Sequence, residues 1–136
     1  MNHILRGRRA ARCVMLLFAC SVALASGADS GTTDVSQSEV LTSVHSTSAP
    51  LLLDVRTPEE FAAGHVPGAV NIPHDVLEQH LGEISGDHGQ EVVVYCEKGG
   101  RAAKAAAVLT AAGFTSVRHL TGDMAAWREA GLPIAK

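Results

Sequence analysis

Short apolar runs alternate along this chain with segments in which apolar residues recur at helical spacing. The runs at 51–55 and 91–95 are apolar almost throughout, as in strands that a parallel sheet buries on both faces. We predict further strands at 35–36, 69–72 and 117–120, and helices at 38–45, 75–81, 101–112, 122–130 and from Thr57 onwards. This alternation predicts an α/β domain in which helices cover a parallel sheet.

Residues that start or stop helices support these boundaries. Thr57 is suited to cap a helix, Pro58 to occupy its first position, and Glu60 to complete a capping box. Gly113 is a predicted C-terminal cap for the Ala-rich helix before it. A turn is expected between Gly64 and Gly68.

The first 25 residues have the pattern of an export signal. Arginines at 6, 8, 9 and 12 precede an apolar stretch at 14–24, and a small-x-small cleavage pattern lies at 23–25. The apolar stretch is shorter than the roughly 20 residues of a membrane span. We therefore predict a signal peptide at 1–25, a polar linker at 26–34 and one domain at 35–136, in an exported, periplasmic protein.

Other interpretations of the leader stay open. An uncleaved anchor or a buried helix has a similar apolar stretch. Residues 17–20 (LFAC) also resemble the lipobox of bacterial lipoproteins, in which Cys20 would carry the lipid.

Composition narrows the class of protein. The chain has 136 residues, of which 46% are hydrophobic and 18% charged, which is ordinary for one globular domain. Its formal net charge of −3 and its lack of interleaved aromatic and basic residues argue against nucleic-acid binding. Two of the three cysteines, Cys13 and Cys20, lie in the leader, so Cys96 is alone in the domain. A lone cysteine in an exported domain is either an inert buried thiol or a reactive one.

The segment around Cys96 favours the reactive interpretation. It lies between the clearest predicted strand and the Ala-rich helix, at the edge where parallel sheets place their ligands. Gly99 and Gly100 allow the backbone N–H groups to converge, and the helix N-terminus adds positive potential. Such surroundings favour the thiolate. We predict Cys96 as the nucleophile and a substrate-binding loop made of Glu97, Lys98, Gly99, Gly100 and Arg101.

Four segments in order resemble the rhodanese family of thiosulfate sulfurtransferases. They are 53–61 (LDVRTPEEF), 64–73 (GHVPGAVNIP), 92–96 (VVVYC) with Arg101, and 120–122 (LTG) with Trp127, Gly131 and Pro133. The resemblance implies a three-layer α/β/α domain with five parallel strands in the order 1-5-4-2-3. The small exported form is most similar to periplasmic single-domain rhodaneses of the phage-shock type.

The resemblance also implies a reaction. Cys96 would take sulfane sulfur from a donor such as thiosulfate as a persulfide and pass it to a thiol, to cyanide or to a partner protein. Lys98 and Arg101 would attract the anionic donor. No cofactor, metal or membrane span is expected. The alternative is a persulfide carrier or sulfur-sensing module without turnover of its own.

A phosphatase is a third hypothesis, because related phosphatases have an Arg six positions after the catalytic Cys. Here Arg101 comes one position earlier and Ala102 occupies the sixth. The shorter loop resembles the sulfur-binding type.

Two residues depart from the family pattern. Glu97 places an acid beside the nucleophile, where we expect it to oppose thiolate formation and donor approach. Asp123 replaces a usual glycine and is expected to change a turn near the site.

Other polar residues near the site have simpler interpretations. Asp54, Arg56 and His65 are predicted to be structural, and Trp127 to lie in the core. The remaining histidines lack metal-ligand spacing, so no metal site is predicted; they include His74, His80, His88 and His119.

Overall fold

The computed structural model describes residues 32–84 and 86–136. The predicted signal peptide, Cys13, Cys20 and most of the predicted linker lie outside the described residues. Within the described ranges, no helix is long and apolar enough to cross a membrane.

Five strands form one sheet in which every pair is parallel. In chain order the strands are β1 (Thr33–Val35), β2 (Leu51–Asp54), β3 (Val70–Asn71), β4 (Val92–Tyr95) and β5 (Val117–Leu120). Their order across the sheet is β1-β5-β4-β2-β3, which confirms the predicted fold. Among the described residues, four α-helices and one 3₁₀ helix surround the sheet: α1 (Gln37–Ser43), α2 (Pro58–Ala63), the 3₁₀ helix Leu77–Glu83, α3 (Gly100–Ala111) and α4 (Asp123–Glu129).

Strand residues alternate between two hydrophobic cores, one on each face of the sheet. On β4, Val92 and Val94 face the core that includes residues of α3 and the 3₁₀ helix. Val93 and Tyr95 face the other core, in which Trp127 of α4 is fully buried. Successive side chains of a strand point to opposite faces, so continuous apolar strands are needed to fill two cores.

The register aligns the carboxyl ends of the central strands. Asp54 pairs with Tyr95 on one side and with Asn71 on the other. The residues that follow these strand ends, including Cys96, therefore share one edge of the sheet.

Helix α2 begins as its sequence predicts. The Thr57 side chain accepts from the Glu60 N–H, and the Glu60 side chain accepts from the Thr57 N–H, with Pro58 in the first position. This capping box fixes Glu60 near the carboxyl edge of the sheet.

Several boundaries differ from the predicted ones, most clearly those of three elements. Strand β1 begins at Thr33, inside the predicted linker, because its pairing with β5 extends to Thr33. Strand β3 has only two residues, Val70–Asn71, at the edge of the sheet. The predicted helix at 75–81 is a 3₁₀ helix at Leu77–Glu83, whose single buried anchor is Leu77. A segment this short is held by packing rather than by propensity, and a 3₁₀ helix is a usual result.

Candidate active site

Cys96 lies directly after β4, at the start of the loop that leads into α3. Its residue is 1% exposed. The backbone N–H of Gly99 donates to the Cys96 Sγ at 3.0 Å. Gly99 has a φ of 101°, in the left-handed region that favours glycine, and it caps α3. The loop therefore curls so that a main-chain N–H is directed at the sulfur.

Helix α4 holds the start of this loop in place. The N–H of Met124 donates to the Cys96 carbonyl at 3.0 Å, and that of Ala125 donates to the Glu97 carbonyl at 3.1 Å. These are donors of the first helical turn, which lack partners within the helix. The C-terminal part of the chain thus fixes the backbone on which the nucleophile is mounted.

Asp123 adds a third anchor that sequence reasoning missed. Its Oδ1 accepts from the Cys96 N–H at 2.8 Å, and the residue is 2% exposed. His119 Nε2 lies 3.0 Å from both carboxylate oxygens of Asp123. The hydrogen bond that His119 donates to Asp123, together with the negative charge of Asp123, raises the pKa of His119. The departure from the family pattern at 123 is the signal in the sequence, but it predicts only a changed turn and no hydrogen bond to Cys96.

The backbone at 123 keeps the conformation of a glycine. Asp123 has a φ of 54°, the one positive value among non-glycine residues of the described ranges. Asp tolerates the left-handed region better than most residues do. Asp123 therefore places a buried carboxylate at a backbone position that glycine also adopts.

Arg101 makes a paired contact with Glu60 of α2. Its Nη1 and Nη2 donate to the two Glu60 oxygens at 2.6 and 2.9 Å. The bond from Arg101 lowers the pKa of Glu60 to about 2. The same bond raises the pKa of Arg101, with a further contribution from the adjacent Cys96. The guanidinium thus lies near the sulfur with its charge paired with Glu60, which weakens the attraction for an anionic donor that we predict for Arg101.

Glu97 is also compensated rather than free. Its carboxylate lies 3.5 Å from the Arg56 guanidinium and forms a short ion pair with Arg128 of α4. Two cations offset this charge, so the opposition to the donor that we predict for Glu97 is reduced. Lys98 is exposed, and no salt-bridge partner for it lies in the part of the chain described here.

Asp54 and Arg56 form a buried pair beside the loop. Arg56 Nη2 donates to Asp54 Oδ2 at 2.7 Å and to the Gly64 carbonyl at 2.8 Å. The Arg56 N–H also donates to Asp54 Oδ1 at 3.0 Å. With exposures of 0% and 2%, the two side chains tie the end of β2 to the turn after α2.

His65 and Tyr95 hold the same turn. The His65 ring stacks on Phe61 with centroids 3.6 Å apart, and its backbone pairs with Ala135 near the C-terminus. The Tyr95 hydroxyl accepts from the Val66 N–H at 3.1 Å, and burial raises the pKa of Tyr95. Through these contacts, His65 packs within the turn and helps to hold it.

A cleft of about 520 Å³ lies next to the loop. It is lined by polar and apolar side chains from three parts of the chain: Arg56, Glu60, Ala63, Glu97, Arg128 and Ile134. Among the described residues, no three His, Cys, Asp or Glu side chains come together in a way that would hold a metal.

Comparison with known proteins identifies the family. The model of the rhodanese-like domain matches residues 36–130. The chain belongs to this family. The match includes every strand except β1, together with the Cys96 loop and its three anchors from α4.

Relatives of this rhodanese domain include named sulfurtransferases. Thiosulfate sulfurtransferase 16 of Arabidopsis thaliana is 43% identical over 95 residues, which cover 60% of this chain and 76% of the plant protein. A sulfurtransferase of Allochromatium vinosum is 40% identical over 84 residues, or 62% of this chain and 77% of that protein. Longer proteins also contain a similar domain: this chain covers 36% of a Mycobacterium tuberculosis HTH-type transcriptional regulator, Rv0324.

Solved structures show the same fold. The human single-domain sulfurtransferase TSTD1 has a TM-score of 0.62 and 33% identity, covering 73% of this chain and 97% of that one. A Lactobacillus plantarum protein has a TM-score of 0.68 and 29% identity, covering 76% of this chain and 87% of the other.

Proposed function

We propose that this rhodanese domain is a sulfurtransferase that carries sulfane sulfur as a persulfide on Cys96. The donor is a small anion such as thiosulfate, and the acceptor is a thiol or cyanide. The observation that carries the proposal is the Gly99 N–H directed at the Cys96 sulfur from a loop that α4 anchors by backbone hydrogen bonds. The names of its relatives support the same reaction class.

The reaction proceeds in two displacements. The Cys96 thiolate attacks the outer sulfur of thiosulfate, the sulfur–sulfur bond of the donor breaks, and sulfite leaves with the bonding electron pair. The new bond joins Cys96 Sγ to the transferred sulfur. The acceptor then attacks that outer sulfur, and the Cys96 thiolate leaves. Covalent catalysis divides one difficult transfer into two easier ones.

The loop stabilises the anionic forms of the sulfur. The Gly99 N–H already faces the sulfur before the reaction, so it needs little reorganisation as charge moves from the thiolate to the outer sulfur. Four residues separate Cys96 from Arg101, one fewer than in related phosphatases. The tighter loop favours a single sulfur atom over a phosphoryl group.

A persulfide carrier without turnover is the second candidate, and the ion pairs of the loop favour it. Arg101 forms an ion pair with Glu60, and Arg56 and Arg128 both form ion pairs with Glu97. Lys98 is then the loop cation that attracts the donor, which makes thiosulfate capture weak. A partner protein that delivers or accepts sulfur would bypass this weakness.

Steady-state sulfite release from thiosulfate distinguishes the candidates. With excess cyanide or a small thiol, a sulfurtransferase releases sulfite over many turnovers. A carrier releases about one equivalent and stops until a protein acceptor is added. The proposal fails if neither sulfite nor a Cys96 persulfide forms, and hydrolysis of an aryl phosphate would instead support the phosphatase.

We also propose that the protein is exported to the periplasm, as a small rhodanese similar to the phage-shock type. The sequence pattern of residues 1–25 supports this proposal. The intact mass of the protein from a periplasmic fraction tests it. A chain that starts at Ser26 agrees with it, a lipid on Cys20 indicates the lipoprotein alternative, and a full-length cytoplasmic chain contradicts export.

A further inference from the structure

A buried carboxylate lies behind the proposed nucleophile, and the reaction as described above does not use it. Asp123 is 2% exposed, yet its Oδ1 accepts from the backbone N–H of Cys96 itself. An unpaired negative charge at this point would oppose an anionic sulfur on the same residue. A nearby positive charge is therefore needed to offset the charge of Asp123.

His119 supplies that charge when it is protonated. Its Nε2 lies 3.0 Å from both Asp123 oxygens, and its Nδ1 lies 3.6 Å from Asp34 of β1. The charged groups that face the imidazole are thus Asp123 from α4 and the exposed Asp34 from β1. The loop approaches it through Gly99, which carries no charge.

The pair also limits what fits beneath the loop. A Cβ built on Gly99 would lie 3.1 Å from Asp123 Oδ2 and 3.4 Å from the His119 ring. The His119–Asp123 pair is therefore packed against the backbone whose N–H faces the sulfur. A change in the pair acts on both the position of the loop and its electrostatic potential.

We propose that His119 and Asp123 form a charge-balanced pair that positions Cys96. Asp123 anchors the Cys96 N–H, and protonated His119 offsets the carboxylate charge that would otherwise oppose the anionic sulfur. Both are positioning residues, since they act through Cys96 and its loop. The inference rests on the proposed function only in taking Cys96 as the nucleophile.

Three substitutions separate the anchor from the charge. His119→Gln keeps an N–H for Asp123 but removes the positive charge. Asp123→Asn keeps an acceptor for the Cys96 N–H and removes the negative charge, and Asn tolerates the φ of 54°. Asp123→Gly suits the same backbone and serves where the Asn variant does not fold.

The test measures the rate of Cys96 alkylation by iodoacetamide against pH in the full chain and in each variant. Because Cys13 and Cys20 are also thiols, the adduct on Cys96 is followed by peptide mass spectrometry. His119→Gln should move the midpoint of the profile upward by about one pH unit, the order expected for an uncompensated charge a few ångströms away. Asp123→Asn should not move it upward.

The double variant Asp123→Asn/His119→Gln tests whether the shift depends on the Asp123 charge. In the Asp123→Asn background, His119→Gln should have no upward effect, because the charge that it exposes has been removed. The inference is overturned if the upward shift persists in that background, or if His119→Gln causes no shift. His80→Gln is the matched control, since His80 also pairs with a carboxylate, Glu83, but on the exposed 3₁₀ helix.

Alkylation does not depend on sulfur transfer, so the two proposals can fail separately. If the protein shows the predicted shift but forms no persulfide, the proposal for the His119–Asp123 pair stands and the sulfurtransferase proposal is rejected. If sulfur transfer is normal but the shift is absent, the proposal for the His119–Asp123 pair is rejected and the sulfurtransferase proposal stands.

Discussion

The Arg101–Glu60 pair should stabilise the fold in a pH-dependent way, and Glu60→Gln isolates its charge. Gln retains the side-chain oxygen that accepts from the Thr57 N–H, so the capping box survives. The substitution removes the carboxylate, whose two oxygens accept hydrogen bonds from Arg101 at 2.6 and 2.9 Å.

The pKa of Glu60 sets both the size and the pH window of the effect. Its ordinary value of 4.5 falls to about 2 in the folded chain, mainly through the bond from Arg101. A lowered pKa means that the stabilisation is complete above about pH 4.5 and is lost as pH falls towards 2. Because the side chain is 34% exposed, solvent screening reduces the contribution to about 1 kcal/mol.

Urea unfolding of wild type and Glu60→Gln at pH 7, 5, 4 and 3 measures this directly. We expect the variant to be about 1 kcal/mol less stable at pH 7, equivalent to a lower Tm by about 5 °C. The difference should shrink below pH 4.5. Glu59→Gln, which alters the neighbouring acid of the same helical turn, is the control and should have a smaller effect. A difference that does not change with pH, or an equal effect of Glu59→Gln, would refute the reasoning.

Three further predictions concern the loop. Gly99→Ala should reduce sulfite release about tenfold and cost about 1 kcal/mol of stability, because φ is 101° and the new Cβ would crowd Asp123; unchanged turnover would show that the reaction does not depend on the glycine conformation at 99. Glu97→Gln should raise kcat/KM for thiosulfate about two- to fivefold at low salt only, and a loss would mean that its ion pairs hold the loop. Lys98→Gln should lower kcat/KM by a similar factor, and a drop that persists at high salt would indicate direct contact with the donor.

The fold and the position of Cys96 directly after β4 could be predicted because their signals are local. Apolar runs mark the strands, and a cysteine between a strand and a glycine-capped helix marks the site. The family resemblance then supplied the order of the strands, which periodicity alone does not determine.

The side-chain pairs around the loop could not be predicted, because their partners are far apart in the sequence. Arg101 and Glu60 are separated by 41 positions, Glu97 and Arg128 by 31, and Cys96 and Asp123 by 27. The sequence alone is equally compatible with a solvent-exposed position, without an ion-pair partner, for each of these charged residues. Only the parallel register, which brings the strand ends to one edge, determines which of them meet.

The central claim is that Cys96 carries the sulfur. Intact mass spectrometry of the purified protein before and after incubation with thiosulfate tests it, with Cys96→Ser as the matched variant. The account predicts that wild type gains the mass of one sulfur atom, releases one equivalent of sulfite and loses the added mass on treatment with cyanide, while Cys96→Ser does none of these. A gain of sulfur by Cys96→Ser, or a wild-type protein that releases no sulfite and gains no mass, would contradict it.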